Sequence, residues 1–172
     1  MSPEQEIPQP PEAPQIERRI NLSRDQLIGI PILVLIPLLA LFGVFGVSES
    51  RGTREGESVA LAVEYSSRTR LRAAHSLVIE VTNRLDRPLT GVVVEVDRNY
   101  VEKFSQATFT PSASTVNETA YRVDLDPIPA SATRVVTVDL KPVRYWSHSG
   151  TVTVSATESN EVEFEFATFV FP

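Results

Sequence analysis

The sequence predicts a single transmembrane α-helix followed by an all-β domain, an antiparallel immunoglobulin-like β-sandwich of seven to eight strands. Residues 27–47 carry no charge, and as a helix they would be about 31 Å long, the thickness of a bilayer core. From Val59 onward, apolar residues recur at every second position, which is the period of a half-buried strand. Turn signals separate these runs at regular spacing, and no helical pattern interrupts them, as is typical of a sandwich.

Composition and hydropathy divide the chain into four segments. The first is rich in proline and glutamate, and its residues 1–18 would be disordered or polyproline II unless they lie along a partner on the cytoplasmic face. The third contains two glycines and is predicted to be a flexible tether. The predicted segments are a cytoplasmic tail at 1–23, a transmembrane helix at 24–48, a linker at 49–58 and an extracytoplasmic β-sandwich at 59–172.

The apolar run has the sequence signals of an uncleaved anchor. Ser23 as the N-cap and Gln26 as the third helical residue form a capping-box arrangement, so the helix should begin near Arg24 and end near Val47. A cleaved signal peptide is the alternative, but it would have a shorter apolar core and a small-residue cleavage site, which the sequence "FGVSES" does not supply.

The charges that flank the run predict its orientation. Arg18, Arg19 and Arg24 precede it, whereas Arg51 and Arg54 follow it. Because the flank with more positive charge stays inside, the N-terminus is predicted to be cytoplasmic and the β domain periplasmic, in a bacterial inner membrane.

Two prolines within the run indicate that the helix packs against other proteins. Pro31 and Pro37 each remove a backbone donor and leave a carbonyl that lipid cannot satisfy. Small residues further along would allow a neighbouring helix to approach closely. The predicted contact residues of the span are Pro31, Pro37, Ala40, Gly43 and Gly46.

Residues 98–119 allow two interpretations. The segment is long for a loop and holds Tyr100, Phe104 and Phe109. It is either a loop that makes functional contacts or a strand with two turns, whose aromatic residues enter the core. In the second case an edge strand runs through Phe104 to Phe109.

The sequence "EVEFEFATFVFP" ends the predicted sandwich with an apolar surface. Its first half alternates acidic and apolar residues, but beyond Phe166 the outward positions are Ala167, Phe169 and Phe171. Either these aromatics form a contact surface, together with Trp146, or a bulge resets the register.

Two stripes of like charge also have open interpretations. Arginines alternate in "SSRTRLR" and could meet an acidic partner or lipid head groups, or could lie on a solvated strand end. Glutamates alternate in the last strand and could dock a basic protein or simply face water. The stripes comprise Arg68, Arg70 and Arg72, and Glu161, Glu163 and Glu165.

Nothing in the composition predicts catalysis or a bound cofactor. The chain has no cysteine, and its two histidines, His75 and His148, are too few for an imidazole metal site. His148 lies in "RYWSHSG" and is predicted to be a surface histidine in a turn, without a nucleophile and acid arranged around it. The net charge of −6 argues against nucleic acid as a partner.

Three segments resemble a known family along the whole chain: the anchor "INLSRDQLIGIPILVLIPLLALFGVFG", the hairpin "VIEVTNRLDRPLTGVVVEV" and the ending "FATFVFP". The layout resembles the small single-pass accessory subunit, with a periplasmic β-sandwich, of a bacterial photosynthetic reaction centre–light-harvesting complex with concentric antenna rings. The resemblance implies a non-catalytic subunit that bridges or stabilises reaction centre and antenna polypeptides in the lipid bilayer of a cytoplasmic or photosynthetic membrane. Pigments or haems would belong to the partner subunits, which agrees with the lack of histidine in the span.

Two other functions suit the same layout. The chain could be an accessory subunit of a respiratory oxidase or another electron-transfer complex, or a membrane-anchored periplasmic assembly factor. The anchored copper chaperones of oxidase assembly share this architecture, but they work through cysteine thiolates, which this chain lacks.

Overall fold

The computed structural model describes residues 24–41, 43, 46–157 and 159–172. The chain forms two compact units, Met1–Phe42 and Gly43–Pro172. The predicted tail at 1–23, including the predicted cap Ser23, lies outside the described residues.

The first unit contains helix α1, Arg24–Leu41, with Pro31 and Pro37 both inside it. The predicted end near Val47 is wrong, because the helix stops at Leu41 and Gly43 then has a φ of +72°. A glycine in the left-handed conformation just beyond the last turn is a common helix terminator.

Two predicted contact residues of the span therefore lie beyond α1. The Gly46 amide donates to the Gly43 carbonyl over 2.9 Å, so these two glycines form a turn after the helix. Ala40 remains on the helix. Within the described ranges, no helix is both long enough and apolar enough to cross a membrane.

The second unit is a mostly β-sheet domain. Its ten described strands form one curled sheet in the order β5-β8-β3-β2-β10-β9-β4-β7-β6, and β1 also pairs with β2. Every pairing is antiparallel except that of β10 with β2, where Phe169–Phe171 runs parallel to Arg68–Arg70. The elements are β1 (Ser48–Glu55), β2 (Val59–Arg70), β3 (His75–Asn83), β4 (Val92–Asp97), α2 (Arg98–Val101), β5 (Phe104–Thr110), β6 (Thr115–Val116), β7 (Ala120–Leu125), β8 (Thr133–Pro142), β9 (Trp146–Ala156) and β10 (Ser159–Phe171).

One hydrophobic core holds the curled sheet together. Alternate residues of the predicted strands point inward, and both halves of the sheet, on either side of the β2–β10 pairing, contribute to a single cluster. Each fully buried valine, leucine or isoleucine contributes about 1.5–3 kcal/mol relative to an exposed one. Examples are Val59, Leu61, Leu77 and Ile79 from one half, and Val94, Val123, Val152 and Val154 from the other.

The predicted linker at 49–58 is mostly a strand. Strand β1 pairs with β2 from Ser48 to Glu55, in the part of the chain that was expected to be flexible. Its glycines provide clearance for side chains of β10. A Cβ atom at Gly52 would collide with the ring of Phe164, and one at Gly56 would lie 2.6 Å from a methyl group of Val162.

The described domain thus has ten strands rather than seven or eight, and the additional ones are β1 and β6. Residues 98–119 contain α2, the edge strand β5 and β6. Tyr100 and Phe104 are buried in the core and Phe109 packs against it. The interpretation as a strand with turns, whose aromatics enter the core, is confirmed.

Candidate interaction surface

Three segments that are far apart in sequence meet at one end of the β domain. The Leu71 amide donates to the Phe171 carbonyl over 2.9 Å, and the Arg72 amide donates to the Pro142 carbonyl over 3.0 Å. These bonds join the β2–β3 turn, the β8–β9 connection and the end of β10. We name this surface the aromatic end, and it comprises residues 68–74, 142–148 and 167–172.

Three aromatic side chains form a ladder across the outside of this end. The Trp146 and Phe169 rings are 6.4 Å apart between centroids, and those of Phe169 and Phe171 are 4.9 Å apart, both in edge-to-face contact. Trp146 is 73% exposed, and the two phenylalanines are half-buried. Trp146 also has a φ of 80°, a conformation that L-residues rarely adopt, so the backbone is bent where this indole projects.

The register of β10 explains why these rings face outward. From Val162 to Val170 the pairing with β9 shows no shift, so no bulge intervenes. Thr168 and Val170 are buried, whereas Phe169 and Phe171 lie on the opposite face. The predicted outward positions are confirmed, and their role as contacts stays a prediction.

A second, buried aromatic layer supports the first. The Tyr100 ring is 1% exposed and lies 4.9 Å from the Phe104 ring and 4.8 Å from the Phe166 ring. Its hydroxyl shares a 3.1 Å hydrogen bond with the Thr168 hydroxyl, next to Phe169 on the same strand. The exposed ladder therefore stands on a strand that the core fixes from within.

Burial raises the pKa of Tyr100 to about 12, and the hydrogen bond from Thr168 opposes this rise. The pKa of Tyr100 is higher in the folded state than in the unfolded state. Tyr100 therefore stabilises the folded state below pH 10, and this stabilisation is lost as the pH rises to 12. The loss from pH 8 to pH 11 should be about 1.4 kcal/mol.

We expect Tyr100→Phe to lack this alkaline loss, while costing about 1 kcal/mol at neutral pH because Thr168 loses its partner. Urea unfolding of wild type and variant at pH 8 and pH 11 measures the difference. Tyr145→Phe, at an exposed tyrosine, is the matched control and should follow wild type. Equal alkaline losses in wild type and Tyr100→Phe would contradict the assignment.

The two histidines flank Phe104. The His75 and Phe104 rings are 5.4 Å apart, and burial lowers the pKa of His75, partly opposed by the Ala73 backbone. The His148 Nε2 lies 3.1 Å from the Arg144 carbonyl, and His148 is half-buried in β9 rather than in the predicted surface turn. Across the residues that the structure describes, no group of three or more histidine, aspartate or glutamate side chains could hold a metal ion.

The glutamate stripe and the arginine stripe both approach the aromatic end. Glu161, Glu163 and Glu165 are exposed on the same face of β10 that continues as Phe169 and Phe171, so their predicted outward orientation is confirmed. The arginine stripe is less regular than predicted. All three arginines are exposed, but Arg72 lies in the turn after β2 with a φ of 63°.

The remaining predicted contact residues belong to the other unit. Pro31, Pro37 and Ala40 are exposed on α1. Sequence reasoning missed Val143 and Tyr145, which are exposed beside Trp146. Their signal was the absence of acidic residues around them, from Lys141 to Ser149.

No protein family matches the sequence, and no curated protein matches it. The solved structures that match part of this chain include the following two. A CARDB domain of a Pyrococcus furiosus protein, in complex with di-metal ions, is 12% identical, with a TM-score of 0.41, and the match covers 73% of this chain and 89% of that one. A conjugative transposon lipoprotein from Bacteroides eggerthii is 11% identical, with a TM-score of 0.41, and the match covers 70% and 95%.

Proposed function

We propose that this protein is a non-catalytic accessory subunit of a multi-subunit bacterial membrane complex, and that it bridges or stabilises the components of a photosynthetic reaction centre–light-harvesting assembly. Helix α1 would span the membrane and pack against partner helices. The β domain would be an immunoglobulin-like sandwich on the periplasmic side.

The observation that carries the proposal is the apolar, uncovered surface of α1. Nine large aliphatic side chains of the helix are between 44% and 82% exposed. They surround the helix instead of forming one stripe, which is typical of a helix buried in a membrane or among other helices. Water would strongly disfavour such a surface. The nine are Ile28, Ile30, Ile32, Leu33, Val34, Leu35, Ile36, Leu38 and Leu41.

The prolines favour a packed helix over a simple tether. Pro31 and Pro37 deprive two carbonyls of their helical donors, and in a bilayer only protein groups or a local change of the helix can satisfy them. Ala40 is a small residue at which another helix can approach closely. The choice of a photosynthetic complex rests on the resemblance of the anchor, the hairpin and the ending to that family.

Purification of the affinity-tagged full chain in mild detergent tests the proposal. We expect reaction centre and antenna polypeptides to co-elute, with bacteriochlorophyll absorption in the same fractions. Haem without bacteriochlorophyll would instead support a subunit of a respiratory oxidase. A chain that elutes alone would overturn the proposal.

A variant of α1 tests the packing. Ala40→Leu adds bulk at the close-approach position and should reduce co-elution at least several-fold. Leu38→Ile preserves volume and should leave co-elution unchanged. Equal retention of the two variants would contradict the role of α1 as the packed contact.

A further inference from the structure

The three segments of the aromatic end lack acidic residues. Acidic residues outnumber basic ones over residues 43–172, yet residues 66–74, 141–149 and 166–172, which contain the aromatic end, include no aspartate or glutamate. Their nearest acidic neighbours on other segments include Glu49, which pairs with Ser66, and Asp97, which lies beside Ser149 and Ala167. The hydrogen bonds of Leu71 and Arg72 bring these three segments together at the aromatic end. The basic residues of these segments are Arg68, Arg70, Arg72, Lys141 and Arg144.

Exposed apolar side chains concentrate at the same end. Val143, Tyr145 and Trp146 are each at least 46% exposed on the β8–β9 connection and the start of β9. Val47, directly before β1, is 56% exposed. In the described part of the β domain, only two other large hydrophobic residues are as exposed, Val116 and Val135.

The chain enters the domain at this end. Ser48, the first residue of β1, pairs with Arg68, which in turn pairs with Phe169. Only six residues, 42–47, connect Leu41 of α1 to Ser48.

We propose that the aromatic end docks on an anionic lipid surface, with Trp146 and Tyr145 among the head groups and Arg70, Arg72 and Arg144 binding their phosphates. This inference rests on the proposed function in one respect, since it places α1 in the same membrane. Tryptophan and tyrosine are enriched at the membrane interface because their rings are apolar with one polar group. Arginines attract anionic lipids at close range.

A lipid surface can bind both the arginines and the aromatic side chains of this end. Phosphates lie beside the arginines, and acyl chains begin a few ångströms deeper, where the aromatic ladder Trp146–Phe169–Phe171 can insert its edges. An acidic protein surface would supply partners for the arginines alone. Glu161 and Glu163, on the outward face of β10, lie toward the other end of that strand and would remain in water, whereas Glu165 is beside Ala167 at the border of the aromatic end.

The fluorescence of Trp146 tests the proposal directly, because it is the only tryptophan in the chain. The full chain is reconstituted in vesicles of phosphatidylcholine alone or mixed with phosphatidylglycerol, and its incorporation is measured separately by flotation. In the anionic vesicles we expect a blue-shifted emission, quenching by lipids brominated near the head group, and protection from acrylamide. Neutral vesicles or high salt should weaken all three effects.

Paired variants test the arginines. Arg70→Gln with Arg144→Gln should shift the docked-to-undocked ratio about 30-fold toward the undocked state, which corresponds to about 1 kcal/mol for each arginine. Arg54→Gln with Arg134→Gln removes the same charge from exposed sites outside the aromatic end and should change nothing.

The outcomes separate the two proposals. A chain that does not float with vesicles contradicts the anchor and hence the proposed function. A chain that floats, but whose Trp146 stays accessible to acrylamide in every vesicle, overturns lipid docking alone. If Trp146 is shielded from acrylamide only in the purified complex, the aromatic end binds a protein partner. If Trp146 is shielded equally in neutral and anionic vesicles, the arginines do not contact the lipid phosphates. Both outcomes contradict the proposal as stated.

Discussion

Replacing Asn83 by alanine is expected to lower the free energy of unfolding of the β domain by about 3–5 kcal/mol. Asn83 is 1% exposed at the end of β3, and its amide group donates to the carbonyls of Arg87, Ile128 and Pro129 over 2.7, 3.0 and 3.1 Å. The side-chain oxygen Oδ1 of Asn83 accepts a hydrogen bond from the Leu85 amide over 2.9 Å. Alanine would remove the bonds to the Arg87 carbonyl and the Leu85 amide, whereas the Ile128 and Pro129 carbonyls would still accept from the Leu89 and Ala132 amides. Loss of a partner next to a buried side chain is the costly case.

Urea unfolding at neutral pH measures this effect. Thr82→Ala is the matched control, because the neighbouring Thr82 shares a hydrogen bond with Thr133 at the exposed surface and should cost less than 1 kcal/mol. Asn83→Asp should be at least as destabilising as alanine, since a carboxylate would face three carbonyls. A loss below 1 kcal/mol for Asn83→Ala would show that the β3–β4 connection and the β7–β8 connection hold together without this side chain.

Gly150→Ala is expected to cost about 2–3 kcal/mol through overpacking. A Cβ atom there would lie 2.6 Å from Cγ and 2.7 Å from Cβ of Tyr100, close to the backbone of that residue. Tyr100 cannot move aside, because its ring is packed between Phe104 and Phe166 and its hydroxyl is bonded to Thr168.

A double-mutant cycle identifies the cause. In a Tyr100→Gly background the Cβ and Cγ atoms that clash are absent, so Gly150→Ala should cost much less there. Ser149→Ala changes the exposed neighbour on the same strand and should be nearly neutral. An unchanged cost in the Tyr100→Gly background would place the strain in the backbone of β9 instead.

The alternation of apolar and polar residues predicted most of the strands, because one face of each strand packs into a single core. Val152 to Ala156 and Val162 to Phe166 form a hairpin as the sequence indicated. From Val162 onward the register of β10 is continuous, and its even-numbered residues are buried except for the half-buried Phe164.

Strand β1 could not be predicted in this way. Its sequence "SESRGTRE" has no apolar alternation, because a glycine takes the inward place that the Phe164 ring covers. Ion pairs of Arg51 with Glu80 and Glu64 add only weakly to its pairing. The glycine indicated flexibility in the sequence, whereas the fold uses it for close approach.

The aromatic end could be predicted only in part. The outward positions of Phe169 and Phe171 were predicted from the alternation of one strand, and Trp146 was predicted only as a contact residue. The end of β10 meets the β2–β3 turn because β10 pairs in parallel with β2. This contact spans about a hundred residues of sequence, and no local pattern specifies it. The end of α1 at Leu41 does have a local sequence signal, the glycine at position 43. The prediction missed it because the apolar run continues to Val47.

The position of β10 has a consequence for how the chain reaches its native state. It is the last strand in chain order, yet it lies in the middle of the sheet, between β2 and β9. Neither half of the sheet can complete its hydrogen bonding until the ribosome has made residues 159–171, and such long-range pairing is slow. We therefore expect the β domain to reach its native pairing only after residues 159–171 have been synthesised.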